Sequence, residues 1–363
     1  MCETQKSLRK MGPLAAVAAI VLLGAPQVRA QAIGFVLNNN PTSPGTTTPD
    51  TSYSYNSTGG AISVTRYAAG DYSVTFAGLG NALNSNVVVT AWGPGPNYCI
   101  SSGWSTPNGA DVDATVYCYN NAGGLADQAF TLLYQSRTEI GTPYIAFLWA
   151  DQPTSSSYAP DLNYSYNPTG GTNTVTRSSV GNYTANLPGL NRSGGTVLVG
   201  SFGSAPAHCQ VTYWGGGSSR TNVGVNCTDG TGTAADEYFT LVYSIDATAG
   251  YGVNSFDGGA IWARNDTTKT PYDVSTRYSK NIDGEEMTAQ RIGKGRYQWT
   301  MNVEPQWTSS TVLVTAYGAP GSYCSTDEWL SNSEYTSVYV NCFDATGAPS
   351  NTRFTATFQL AGN

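Results

Sequence analysis

The sequence predicts an all-β chain: three tandem antiparallel β-sandwich domains of immunoglobulin-like type, with one disulfide in each. Three observations carry this expectation. One pattern is written three times, each copy has the length of a whole domain, and each copy holds two cysteines. Equivalent positions recur every 110 to 115 residues or so. That spacing is too long for solenoid or propeller units of roughly 20 to 50 residues.

Each copy opens on an apolar strand: IGFVLNNNPT from Ile33, IAFLWADQPT from Ile145 and AIWARNDT from Ala260. After a turn-rich spacer come SYNSTGGAISVTR from Ser54, SYNPTGGTNTVTR from Ser165 and SKNIDGEEMTAQR from Ser279. A glycine-tyrosine strand follows: GDYSVTFAGL from Gly70, GNYTANLPGL from Gly181 and GRYQWTMNVEP from Gly295. VVVTAWG from Val87, TVLVGSFG from Thr196 and TVLVTAYG from Thr311 mark a further strand. FTLLYQ from Phe130, FTLVYS from Phe239 and FTATFQ from Phe354 close the copies. Short runs rich in Val, Thr, Tyr and Phe between Gly, Pro, Asn and Ser clusters are the pattern of a small sandwich. No segment keeps helical periodicity for three turns.

Residues 1–30 read as an export signal. Lys6, Arg9 and Lys10 form a basic start, Met11 to Pro26 are apolar and small, and Val28-Arg29-Ala30 suits cleavage after Ala30. The domains are then expected at 31–138, 143–246 and 253–363, with junctions near Ser136 to Tyr144 and Asp246 to Gly259. Four of 17 basic and one of 24 acidic residues fall in the leader, leaving 13 against 23, a net charge of −10. That balance argues against nucleic acid and anionic lipid as partners. No second apolar run is long enough for membrane insertion. The expected location is secreted: extracellular, periplasmic or on the cell surface.

The six cysteines after the leader, Cys99 and Cys118, Cys209 and Cys227, Cys324 and Cys342, are spaced 18 or 19 apart within each copy. An even number in an exported chain reads as disulfides, and repetition favours local pairing. Two thiolates per copy lack the further ligands of a tetrahedral metal site, so no metal and no cofactor are expected.

His208 is the only histidine, and it fills a slot held by Tyr98 and Tyr323 in the sister copies, which reads as packing or surface. The acidic pairs Asp236-Glu237, Glu285-Glu286 and Asp327-Glu328 each belong to one copy and read as solvated turn residues rather than a glycosidase dyad. CTDGTGTAADEYF, from Cys227, looks like a calcium loop. Its counterparts from Cys118 and Cys342 share only turn residues. No phosphate loop or nucleophile elbow is present. No catalytic residue is assigned, and the chain reads as no enzyme.

The candidate ligand-binding residues are Trp104, Trp214 and Trp329, each five positions after the first cysteine of its copy. On a straight strand that offset places the tryptophan opposite the disulfide, toward solvent, as a platform for sugar stacking. A bulge would return it to the core. The third copy stands apart. It holds eight of the mature basic residues (Arg264, Lys269, Arg277, Lys280, Arg291, Lys294, Arg296 and Arg353), and Asp283-Gly284-Glu285 replaces its TGG turn.

With Trp149-Ala-Asp-Gln-Pro-Thr, Tyr-Asn-Pro-Thr-Gly-Gly and Val-Thr-Arg in view, the chain resembles secreted bacterial repeat proteins that share this pattern. The resemblance implies export and modularity and transfers no catalytic residue. The expected function is a non-enzymatic, surface-associated protein for carbohydrate binding or adhesion, with a polysaccharide or cell-surface glycan as partner. The alternatives are a structural matrix or envelope protein without a discrete ligand, a carboxylate-dependent glycoside hydrolase, and a protease inhibitor.

Overall fold

The structure, a computed structural model, describes residues 32–80, 84–136, 144–191, 194–245, 258–302, 309–332 and 334–361. The expected leader lies outside the described residues, as does most of each expected junction. The first copy forms β1 (Ile33–Asn38), β2 (Gly45–Thr47), β3 (Ser54–Asn56), β4 (Ile62–Ala68), β5 (Asp71–Phe76), β6 (Ser85–Ala91), β7 (Tyr98–Ser105), β8 (Val112–Tyr119) and β9 (Phe130–Ser136). The second forms β10 (Tyr144–Ala150), β11 (Ser157–Tyr158), β12 (Ser165–Tyr166), β13 (Thr174–Ser179), β14 (Asn182–Pro188), β15 (Thr196–Phe202), β16 (Ala207–Gly216), β17 (Arg220–Asp229) and β18 (Tyr238–Ile245). The third forms β19 (Gly258–Ala263), β20 (Tyr272–Asp273), β21 (Lys280–Asn281), β22 (Met287–Gly293), β23 (Arg296–Met301), β24 (Ser310–Tyr317), β25 (Tyr323–Ser331), β26 (Thr336–Phe343) and β27 (Arg353–Leu360).

Each copy is a two-sheet sandwich. In the first, β3-β1-β9-β6 faces β7-β8-β5-β4-β2, and the other copies repeat this order. The two sheets differ in what they bury. β5 alternates between buried and half-buried positions, because one face packs on the core and the other meets solvent. β6 and β9 are buried at every position. One face of the β6 sheet, with Val87, Val89 and Leu132, fills the first sandwich. Its other face, with Ile33, Phe35, Val88 and Leu133, meets Ile145, Phe147, Leu198, Val242 and Leu313 of the sister copies. The VVVTA run is continuous because both of its faces are inside.

The sandwiches are not independent beads. β7 of the first copy pairs in parallel with β15 of the second, and β16 of the second with β24 of the third, so two sheets run on across copies as nine strands each. A parallel bridge between Thr326 and Trp92 brings the third copy back to the first. One hydrogen bond recurs at all three joints: Gly203 N to Ser101 O at 2.9 Å, Gly318 N to Val211 O at 2.9 Å and Gly93 N to Thr326 O at 2.8 Å. Three copies thus close into a ring around a pseudo-threefold axis.

Repeated motifs have local causes. In the Tyr-Asn-x-Thr-Gly turn, Asn56 Oδ1 accepts from Thr58 N at 3.0 Å and Thr58 Oγ1 at 2.8 Å, while Asn56 Nδ2 donates to Ala77 O at 2.8 Å. Asn167 repeats these bonds with Thr169 and Pro188. The third copy keeps the turn despite its altered sequence: Asn281 caps Asp283 N at 3.1 Å and reaches Asn302 O at 2.9 Å. The disulfides Cys99–Cys118, Cys209–Cys227 and Cys324–Cys342 link directly opposed residues of adjacent strands. They staple a hairpin within one sheet rather than bridging the two sheets.

Candidate functional site

Trp104, Trp214 and Trp329 are each 8% exposed. The ladder slips between Ser101 and Gly103, between Val211 and Tyr213, and between Thr326 and Glu328, so each strand carries one extra residue before its tryptophan. That bulge reverses the alternation of faces and sets Trp104 opposite Ala114, on the side of Val116 and Cys118. Each indole then reaches into the next copy. Trp104 meets Trp149, Tyr164 and Phe202 at centroid distances of 6.2, 5.2 and 5.8 Å. Trp214 meets Trp262, Tyr278 and Tyr317 at 5.4 to 5.5 Å, and Trp329 meets Tyr53 at 5.5 Å. The indole N–H groups are satisfied by Ser85 Oγ, Gly195 O and Ser310 Oγ. Of the two positions open to these residues the structure has the one a bulge gives, so no exposed sugar platform forms; they lock the ring from inside.

His208 is 4% exposed and stands at the axis between its two sister tyrosines. Its ring centroid lies 4.2 Å from that of Tyr98 and 4.4 Å from that of Tyr323. Burial holds the imidazole well below its usual range, at about 4, with Asp229 acting weakly the other way. Nε2 has no protein partner. The adjoining cavity of about 50 Å³ is lined by Thr90, Gly200 and Thr315 as well as the aromatic trio. It has room for about one water, not for a substrate.

The acidic residues divide. Asp236 is no solvated turn residue: Arg177 grips it through Nε and Nη2, both at 2.7 Å, and Gly181 N and Tyr183 OH also donate to it. Asp127 is held in the same way by Arg66, Gly70 and Tyr72, and the guanidinium and these donors depress its carboxyl to about 2. This is the reason for the Val-Thr-Arg and Gly-x-Tyr motifs. Gly70 itself has φ of 69°, and a Cβ there would stand 2.4 Å from Cys118 O. In the third copy Asn351 takes the carboxylate's place and accepts from Gly295 N at 3.0 Å. Asp229, another acid of the calcium-like loop, caps its own turn through Thr231 and Thr233. Asp229 and Asp236 are therefore already engaged, while Glu237, the third acid of that loop, is half-buried with its carboxyl pushed above its usual range by burial. Glu285 and Glu286 are exposed, as a solvated turn requires.

Asp327 also departs from the turn reading. It is the bulged residue that precedes Trp329, its side chain is 10% exposed, and it pairs with Arg296 Nη2 at 2.9 Å. With Glu328, Asn341, Trp92, Gly93 and Pro94 this pair lines an open cleft of about 540 Å³, where the third copy meets the first. Sequence reasoning missed this cleft because its two sides lie more than 200 positions apart.

Among the described residues no group of three or more His, Cys, Asp or Glu is placed to hold a metal ion, and no helix is long and apolar enough to cross a membrane. No family model matches the chain, and neither a curated protein nor a solved structure matches it.

Proposed function

We propose that the protein is an exported, non-enzymatic unit that binds carbohydrate on a cell surface or in a matrix. The likeness to secreted bacterial repeat proteins belongs to the same proposal. Three disulfides agree with an oxidising compartment. The observation that carries the reading is the open cleft at the closing joint, where aromatic, cationic and carboxylate groups converge on a rigid support. His208 is enclosed, and Asp127 and Asp236 sit in ion pairs away from the cleft. The closed ring also favours a second reading, a structural block without a discrete ligand. A glycan array probed with the intact, leader-free protein separates the two. Saturable binding to a defined set of glycans supports the first reading; an array with no binding removes it.

A further inference from the structure

Pseudo-threefold symmetry makes the three joints alike in backbone, so a chemical difference at one of them calls for a separate explanation. At the position of Arg296 the earlier copies have Asp71 and Asn182, and at Asp327-Glu328 they have Ser102-Gly103 and Thr212-Tyr213. Among the described residues only the closing joint carries an ion pair on its bulge. The extra residue that turns Trp329 inward also directs Asp327 toward Arg296, across from Trp92 and Pro94.

Two buried donors border this cleft without protein partners. Asn341 is 8% exposed and its Nδ2 is unpaired, and Trp92 Nε1 is likewise unpaired. Arg296 adds further donors from a side chain that is 48% exposed, while Asp327 and Glu328 supply acceptors. Donors interleaved with acceptors suit a ligand whose groups do both, as hydroxyls do. Half-buried Trp92 and exposed Pro94 add apolar surface for the C–H side of a sugar ring. Two carboxylates against one guanidinium, on a chain of net charge −10 after its leader, oppose an anionic ligand.

We infer that the cleft formed by Trp92, Pro94, Arg296, Asp327, Glu328 and Asn341 binds a neutral oligosaccharide, through vicinal hydroxyls bridging Arg296 and the two carboxylates. This rests on the carbohydrate-binding reading above and adds its location, its ligand class and a stoichiometry of one site per chain. Repetition in this protein builds a frame for one site and does not multiply sites.

The test is calorimetric titration of the leader-free protein with the neutral oligosaccharide bound best on the array, compared with Arg296→Gln, Glu328→Gln and the sister-position control Asp71→Asn. Expected are a stoichiometry of one, affinity weaker by about tenfold or more in each cleft variant, no change in the control, and near-ultraviolet circular dichroism unchanged throughout. Arg296→Lys, which keeps the charge and loses the planar fork, should fall between wild type and Arg296→Gln. Wild-type affinity retained in both cleft variants places the site elsewhere and overturns the inference, while the carbohydrate reading stands. Failure of the wild type to bind any glycan overturns both. Stronger binding of uronate or sulfated chains than of neutral ones overturns the ligand class.

Discussion

The imidazole of His208 lies flat against the phenol ring of Tyr323, centroids 4.4 Å and planes 3° apart. Protonation puts a charge on a ring that is 4% exposed and in ion-pair contact with no carboxylate among the described residues. The folded-state pKa, at about 4, is below the ordinary 6.5, so the unfolded chain takes up the proton first. Stability is therefore fully present above pH 6.5 and falls between there and pH 4, by roughly 3 kcal/mol. His208→Tyr restores the residue type of the sister copies and should flatten this window. Thermal melts of both proteins from pH 4 to 7 test it; equal slopes would exclude His208 as the source.

Trp104→Ala should cost about 3–5 kcal/mol, the range for emptying a buried tryptophan site. Because the lost indole spans two copies, the variant should also admit protease at the joint, and limited proteolysis read by mass spectrometry should show cuts between 120 and 170 before cuts elsewhere. A triple Ala variant at Trp104, Trp214 and Trp329 should lose the closed ring, so loss of binding in it says nothing about stacking on a ligand.

One hydroxyl is missing from the axis. Thr90 Oγ1 donates to Val314 O at 3.3 Å and accepts from Val314 N at 3.1 Å, and Thr315 makes the same two bonds to Val199, both at 3.0 Å. The third such position is Gly200, where an added Cβ would meet the rotatable Thr240 Oγ1 at 3.0 Å and Val89 N at 3.9 Å. Gly200→Thr should complete the cycle and relieve a strand glycine, raising stability by about 1–2 kcal/mol. A lower melting temperature would show that Thr240 cannot give way.

Asp127→Asn removes the carboxylate that Arg66, Tyr72 and Gly70 share. The depressed carboxyl stabilises the fold above its ordinary pKa, and that contribution fades as pH falls from about 4 toward about 2. The variant should melt lower than wild type at pH 7, with the gap closing at pH 2. In the third copy Asn351→Asp should have the opposite effect at pH 7 by offering Arg291 a charged partner, now only 3.5 Å from the amide oxygen.

Sandwich modules and hairpin disulfides were legible because they repeat and because cysteine parity with Val116, Val225 and Val338 marks a core face. Ring closure left a signal that the expectation of separate domains did not use. VVVTA and TVLV lack the alternation of a strand with one wet face, which in hindsight marks sheets buried on both sides. The face of the tryptophans was not legible. The bulge that decides it is followed by Gly103, Tyr213 and Glu328, three residue types with nothing in common. The cleft was less legible still, since it joins Trp92 to Arg296 and Glu328 by a fold-level return that no local pattern announces.

Closure also constrains the order of folding. The bonds between Thr90 and Val314 span 224 positions, so the first sandwich must wait, with the part of its apolar Val88 and Leu133 face that Leu313 covers left bare, until the third has been synthesised and has arrived. Loop-closure entropy makes such distant contacts slow to form, and bare faces of this kind invite association with other chains. The final joint acts as a kinetic checkpoint: a chain cut short before the third copy should be recognised by its stickiness and slow refolding, even though each of its sandwiches has a core and a disulfide of its own.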